Sequence, residues 1–160
     1  MRKLAVALAA AALAASLGVP PQASARAPAA HPAVPRFIQG LIGRRAGSLA
    51  SVPARMALGY RYDRFHASAQ AVRIWFRNRT GREIVFLAAP AAGSCRAGME
   101  KSFQMAGNKV WWGHTNAEQE AWRCVSRGGR LVKLVAATAQ PPTQFADVGL
   151  GRIVASGRRV

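Results

Sequence analysis

Residues 70–89, with the sequence QAVRIWFRNRTGREIVFLAA, decide the fold class of this chain. Within residues 72–77, apolar side chains at the even positions alternate with Arg, Trp and Arg at the odd positions, which is typical of a strand with one buried face. The apolar run at 84–87 indicates a second, more fully buried strand, and the residues NRTG at 78–81 are suited to a turn. The stretch therefore predicts an antiparallel β-hairpin.

Further runs with strand character follow the hairpin, at residues 99–105, 110–112, 122–125 and 131–137. Turn residues separate them, among them Gly-Asn at 107–108 and Gly-Gly at 128–129. Short strands joined by tight turns predict an antiparallel meander sheet of about 5–6 strands.

The end of the chain changes character from strand to helix. Pro141 and Pro142 stop the last strand, and Thr143 is a suitable N-cap residue. Beyond it, one helical face collects the apolar side chains Phe145, Val148, Ile153 and Val154. We therefore expect a C-terminal helix over about residues 144–157, packed on one face of the sheet, and an α+β fold.

The first 25 residues have the order of a secretory leader. Arg2 and Lys3 precede an apolar run at 4–19, and the small residues Ala-Ser-Ala end the segment at 23–25. The apolar run is shorter than the roughly 20 residues that a membrane-spanning helix needs. We expect cleavage after position 25 and a periplasmic or extracellular protein that keeps no transmembrane anchor.

The remaining chain divides at Pro53. Residues 26–52 are rich in Pro, Ala and Gly, which predicts a spacer that is either disordered or a short helix around Phe37, Leu41 and Ile42. Residues 53–160 are expected to form a single β-rich domain.

Cys95 and Cys124 are the only cysteines. In an exported chain two cysteines most often pair with each other, and the absence of a C-x-x-C motif disfavours a redox or zinc site. We therefore expect one structural disulfide, which stabilises the fold by roughly 3–4 kcal/mol on the chain-entropy estimate.

The chain carries 23 Lys and Arg residues against 6 Asp and Glu residues, a formal net charge of +17. Most of the cations are arginines, whose planar guanidinium matches phosphate and carboxylate in a forked geometry. Such a charge attracts an anionic envelope component, which would be a lipid headgroup, a polysaccharide or nucleic acid, or else an acidic protein. The alternative is a composition that merely keeps the protein soluble.

The best binding candidates surround the predicted hairpin. Arginines interleaved with an aromatic ring can hold phosphates while the ring stacks on a base or sugar. These candidates are Arg73, Trp75, Arg77, Arg79, Arg82 and, from a later strand, Trp111. The alternative is an ordinary solvated strand face with a half-buried Trp75. Trp112 is expected in the core with Val110.

No catalytic, cofactor or metal motif stands out. His66 and His114 are conceivable as the acid–base pair of a secreted ribonuclease, with Glu83, Glu118 or Glu120 as a further base. A metal pair of His114 and Glu118 lacks a third ligand. We expect no cofactor, no metal and no enzymatic activity; the alternative is a secreted, nuclease-like hydrolase acting on an anionic polymer.

The order of several landmarks resembles a known family. The chain has Gly59-Tyr60, then the pattern I-x-F-x-N-x-x-G-R-x-I-x-F at 74–86, GNKVWW at 107–112, and Ala121-Trp122. Over about residues 55–157 this resembles a bacterial extracytoplasmic domain of unknown function, of the kind found in anti-sigma-type regulators, sporulation-associated proteins and lipoproteins. The resemblance implies a curved antiparallel sheet and no established enzymatic activity. We accordingly expect a domain that binds or senses a component of the cell envelope through an Arg-rich surface.

Overall fold

Among the residues that the structure describes, the fold consists of a seven-stranded antiparallel sheet, a second sheet of two strands, and two α-helices. The computed structural model of the chain describes residues 32–93, 95–115, 118–139 and 146–160. The elements are α1 (Arg36–Ala46), a 3-10 turn (Gly47–Leu49), β1 (Ser51–Pro53), β2 (Arg61–Ala67), β3 (Val72–Arg77), β4 (Glu83–Pro90), β5 (Lys101–Met105), β6 (Asn108–His114), β7 (Gln119–Arg127), β8 (Arg130–Thr138), α2 (Ala146–Ala155) and β9 (Gly157–Arg159). The leader predicted at 1–25 lies outside the described residues, as do positions 140–145 at the predicted helix start and the side chain of Val148.

Two meanders meet in the middle of the large sheet. Its strand order is β2-β3-β4-β8-β7-β6-β5, so β4 pairs with β8 and the two edges are β2 and β5. The predicted hairpin of β3 and β4 is confirmed, with Ile74 opposite Phe86. The predicted count of about 5–6 strands is too low for this sheet, because the sequence pattern does not predict β2. A register shift between Tyr62 and Arg64 marks a β-bulge there, and the extra residue breaks the period-two pattern by which strands are recognised.

One face of the sheet carries the main hydrophobic core and is called the core face here. Ile74, Phe86, Ala136 and Ala121 are successive cross-strand neighbours on it, and all are fully buried. The opposite face, called the outer face, carries the odd-numbered residues of β3. Trp112 is buried with Val110, as predicted.

The core begins before the predicted domain start at Pro53. The predicted short helix is present as α1, and its residues Ile38, Ile42 and Ala46 are buried in the same cluster as the core face. Phe37, which the sequence placed among the apolar positions of this helix, is 71% exposed. The four-residue spacing of Ile38, Ile42 and Ala46 aligns them on one helical stripe, and Phe37 lies beside that stripe.

The C-terminal helix ends two residues before the predicted position 157. It ends at Ala155, where the Ser156 hydroxyl donates to the Ile153 carbonyl over 2.8 Å. The next three residues form β9, which pairs antiparallel with β1. Leu150 and Ile153 of α2 join the main hydrophobic cluster. No helix within the described ranges is long and apolar enough to cross a membrane.

Two half-buried arginines of β7 bind the segments that form and flank the two-stranded sheet of β1 and β9. Arg123 donates from Nε to the Val154 carbonyl over 3.0 Å and from Nη2 to the Gly157 carbonyl over 2.6 Å. Arg127 donates from Nη1 to the Ala50 carbonyl and the Ser51 hydroxyl, over 3.1 and 2.6 Å. Burial lowers the pKa of both guanidinium groups. A cation at the last carbonyls of α2 also suits the helix dipole.

Candidate anion-binding surface

Strand β3 presents three of the predicted binding residues on the outer face. Its burial alternates strictly, with Arg73 and Arg77 exposed and Trp75 half-buried between them. Their apolar neighbours point into the core, so packing on one face fixes what the other face displays. The alternation predicted from the sequence is therefore present.

The turn after β3 presents Arg79 and Arg82. Its conformation is set by Asn78, whose side-chain oxygen accepts hydrogen bonds from the backbone N–H groups of Thr80 and Arg82, over 3.0 and 2.9 Å. Gly81 has a φ of 82°, a left-handed conformation that glycine adopts without strain. The side chains of Arg79 and Arg82 are exposed at this end of the hairpin.

Strand β2 contributes His66 and two arginines, Arg61 and Arg64, that the sequence did not predict as binding residues. Arg61 lies opposite Arg77, Arg64 opposite Trp75, and His66 opposite Arg73. The sequence does not predict β2 because the bulge at Asp63 puts two charged residues in succession, which interrupts the alternation of polar and apolar side chains. We call the outer-face surface formed by Arg61, Arg64, His66, Arg73, Trp75, Arg77, Arg79 and Arg82 the basic face.

Two carboxylates hold the middle of the basic face in an ion-pair network. Arg77 Nη2 lies 2.6 Å from Glu83 Oε1 and 3.5 Å from Asp63 Oδ2. Arg64 Nη1 lies 3.2 Å from Glu83 Oε1 and also pairs with Asp63. The hydrogen bond from Arg77, followed by that from Arg64, holds the pKa of Glu83 below its ordinary value. The hydrogen bond with Glu83, followed by the attraction of Asp63, raises the pKa of Arg77.

Trp75 is covered by a guanidinium group. Arg64 Cζ lies 4.8 Å from the centre of the indole ring, within the range of a cation–π contact. Because Glu83 also binds Arg64, the carboxylate holds the guanidinium group in place over the ring. We call the ion pairs of Glu83 with Arg64 and Arg77 the clamp. The aromatic surface that could stack on a ligand is thus reached only when Arg64 moves or is itself part of the contact.

Four arginines of the basic face lie outside this ion-pair network. Among the residues that the structure describes, no carboxylate pairs with Arg61, Arg73, Arg79 or Arg82, and all four are exposed. The basic face therefore sets six guanidinium groups against the carboxylates of Asp63 and Glu83. Free guanidinium groups of this kind are donors for phosphate or carboxylate oxygens.

Trp111 does not join the other predicted binding residues. It lies half-buried on β6, and the strands β4, β8 and β7 separate β6 from β3. Four strand spacings amount to about 19 Å. Trp111 instead lies opposite Trp122, with Lys109 Nζ 6.0 Å from its ring centre. The predicted set of binding residues is therefore divided between two places.

The two histidines considered as an acid–base pair are far apart. His66 is on the edge strand β2 and His114 is on β6, with four strands between them, about 24 Å in strand spacings. His114 pairs through Nδ1 with Glu100 and stacks on Trp112 at a centroid distance of 5.2 Å. Groups that share one phosphate must both lie within hydrogen-bond reach of it, which this arrangement does not allow.

The predicted disulfide between Cys95 and Cys124 is present, with a Cα–Cα distance of 6.2 Å. No group of three or more His, Cys, Asp or Glu residues placed to hold a metal ion occurs in the described ranges.

No protein-family model, curated protein or solved structure matches this chain.

Proposed function

We propose that this protein is an exported, non-enzymatic domain that binds an anionic polymer of the cell envelope through the basic face. The observation that carries the proposal is the pairing of like charges across β2 and β3. Arg61 lies directly opposite Arg77. Like charges in opposite positions destabilise a strand pair. An arrangement that lowers stability is expected where a surface is shaped for binding rather than for folding.

The shape of the basic face favours an extended ligand over a small enclosed one. Arg73, Trp75 and Arg77 follow one another along an open strand face, about 7 Å apart at every second residue. The two arginines of β3 are therefore about 13 Å apart, and Arg64 lies over the ring between them. Cations spaced along a strand in this way match anionic groups at intervals along a chain, and Trp75 offers a ring for stacking once Arg64 takes part in the contact. Polysaccharide, nucleic acid and a row of lipid headgroups share this chemistry.

Export rests on the leader predicted at residues 1–25 and agrees with the disulfide, because disulfides persist in oxidising compartments. We also propose that α2 covers one face of the sheet. Its Gly151 supports this, since a Cβ atom there would lie 2.7 Å from Phe103 of β5. The resemblance to extracytoplasmic domains over about 55–157 belongs to the same proposal.

The test compares two triple variants of equal charge. Arg73, Arg79 and Arg82 are changed to Ser in one, and the exposed control residues Arg36, Arg45 and Arg130 in the other, so each net charge falls from +17 by three, to +14. Binding to heparin, to single-stranded RNA and to vesicles of phosphatidylglycerol is measured against salt concentration. For RNA, each lost contact should reduce the log–log salt slope by about 0.7.

We expect the first triple variant to lose about two units of slope and the control to lose much less. Equal losses in both variants would mean that net charge alone drives binding, which would overturn the assignment to the basic face. Preference among the three probes identifies the class of polymer. RNA recovered from the mixtures is checked for shortening, because cleavage would favour the hydrolase alternative.

A further inference from the structure

An open groove with a volume of about 890 Å³ lies between the segment at 54–58, helix α2 and the turn after β5. The segment is anchored at one end, where Ala54 N donates to the Ser156 carbonyl over 3.2 Å and Arg55 N to the Ser156 hydroxyl over 3.1 Å. This volume is within the range of small-molecule sites in proteins, about 300–1,000 Å³.

The lining of the groove is largely apolar. Met56 and Met105 are half-buried on its walls, and the buried side chain of Ile153 contributes from α2. Leu58 at the end of the segment is fully exposed, at 103% of its reference area. A leucine that gains nothing from burial, next to flexible methionine side chains, is typical of a surface that accepts an apolar ligand.

The titratable residues among the described lining are Arg55 and Arg152, and no carboxylate lies with them. Both are exposed, and neither forms an ion pair within the described part of the chain. A groove whose described lining is apolar, with two cations and no carboxylate, is complementary to a molecule with an apolar body and an anionic head.

We propose that this groove binds a long-chain carboxylate of the fatty-acid class. The alkyl tail lies along Met56, Leu58 and Ile153, and the carboxylate is held between Arg55 and Arg152. A single carboxylate suits the forked guanidinium geometry, and the groove has the volume for one chain rather than a patch of bilayer. This site is independent of the basic face, with which its lining shares no residue.

Gly149 offers a way to block the groove without disturbing the fold. It lies on α2 in the groove lining, and a Cβ atom added there would meet nothing within 4 Å. Gly149→Leu therefore fills the groove while its helix propensity improves. Gly40→Leu on α1 is the matched control, because Gly40 is also a helical glycine but is exposed and outside the groove lining.

The experiment measures laurate binding to the full chain by titration calorimetry, with butyrate and dodecyltrimethylammonium as probes that lack the tail or reverse the head charge. We expect laurate to bind and the other two probes not to bind. Gly149→Leu should weaken binding at least about tenfold, Gly40→Leu should not change it, and Arg55→Gln with Arg152→Gln should weaken it about fivefold to tenfold. Circular dichroism confirms that each variant is folded.

Laurate binding that is unchanged in Gly149→Leu, or absent from the folded wild-type chain, would overturn the proposal. Equal binding of dodecyltrimethylammonium would overturn the role of the two arginines. Because the heparin and RNA measurements use the basic face, failure of the groove leaves the proposed function standing, and the reverse is also true.

Discussion

Each half of the outer sheet face has a tryptophan with a cation over its ring, but the ring is half-buried in one half and fully buried in the other. In the β2–β4 half, Arg64 lies 4.8 Å over Trp75, and the ring is half-buried at an open surface. In the β6–β8 half, Lys133 lies 4.6 Å over Trp122, and that ring is fully buried. The strand pattern around both tryptophans is similar, so the strands themselves do not decide which half can bind a ligand.

The difference is made by the segment before β5, called the cover here, which lies over the β6–β8 half only. Trp122 donates its indole N–H to the Cys95 carbonyl over 2.8 Å, and the disulfide from Cys95 to Cys124 fixes the segment to β7. Gly113 lies so close beneath it that an added Cβ atom would be 2.5 Å from the Gly98 carbonyl oxygen. The β6–β8 half of the outer face therefore has a small buried core of its own, whereas the β2–β4 half stays open to solvent.

The largest expected effect comes from removing each tryptophan in turn. Trp122→Ala should lower the free energy of unfolding by about 3–5 kcal/mol, because it empties a buried site. Trp75→Ala should cost about 1 kcal/mol, because solvent already reaches that ring. Urea denaturation followed by circular dichroism measures both. Similar losses in the two variants would contradict the contrast between the halves.

Removing the disulfide that fixes the cover to β7 should have the next largest effect on stability. The disulfide closes a separation of 29 residues, so replacing Cys95 and Cys124 together by Ser should cost roughly 3–4 kcal/mol. Urea midpoints with and without a reductant measure this, and the reductant should have no effect on the double variant. While the variant is folded, its affinity for heparin should equal that of the wild type, since the basic face lies in the other half. A loss of affinity in folded protein would show that the halves are coupled.

A methyl group under the cover should have a moderate effect. Gly113→Ala should destabilise by about 1–3 kcal/mol, because the obstructing atom is a backbone oxygen and cannot rotate away. Gly149→Ala in helix α2 is the comparison, since an added Cβ atom there meets nothing and alanine favours the helix. We expect a rise in thermal midpoint for Gly149→Ala and a fall for Gly113→Ala; a neutral Gly113→Ala would mean that the cover is loosely held.

The same contrast explains how far the sequence could be interpreted. Regular alternation at 72–77 gave β3 and its exposed arginines, because one buried face fixes the other. The disulfide followed from two cysteines and a leader. Strand β2 was missed because a single bulged residue, Asp63, erases a period-two signal over a strand of seven residues.

Neighbours from distant parts of the chain were the other obstacle. The pairing of β4 with β8 and the cover over Trp122 depend on contacts between segments far apart in sequence, which no local period encodes. For this reason Trp111 was grouped with the arginines of β3, although three strands lie between them. The sequence leaves helix α1 as an alternative to disorder, because its glycines disfavour a helix; burial of Ile38 and Ile42 compensates.

The smallest effect concerns the clamp, in which Glu83 occupies Arg64 and Arg77 of the basic face. Arg77 and Arg64 hold the pKa of Glu83 below its ordinary value of 4.5. A carboxylate whose folded-state pKa is lowered stabilises the fold fully above its unfolded pKa, and this contribution is lost as pH falls through the lowered pKa. The acid side of the stability profile should therefore be shallower in Glu83→Gln than in the wild type, as measured by urea midpoints between neutral pH and about pH 3.

The clamp also links acidity to binding. Glu83→Gln releases Arg64 and Arg77 from a competing carboxylate, so heparin affinity at neutral pH should rise about twofold to fivefold. Heparin sulfates stay ionised in acid, so protonation of Glu83 in the wild type should produce part of the same gain as pH falls. The gain in the variant should be smaller, because position 83 then carries no group that titrates. A Gln variant that binds heparin more weakly than the wild type would instead mean that Glu83 orders the two arginines for the ligand, and the open half would then be a preformed site rather than a partly occupied one.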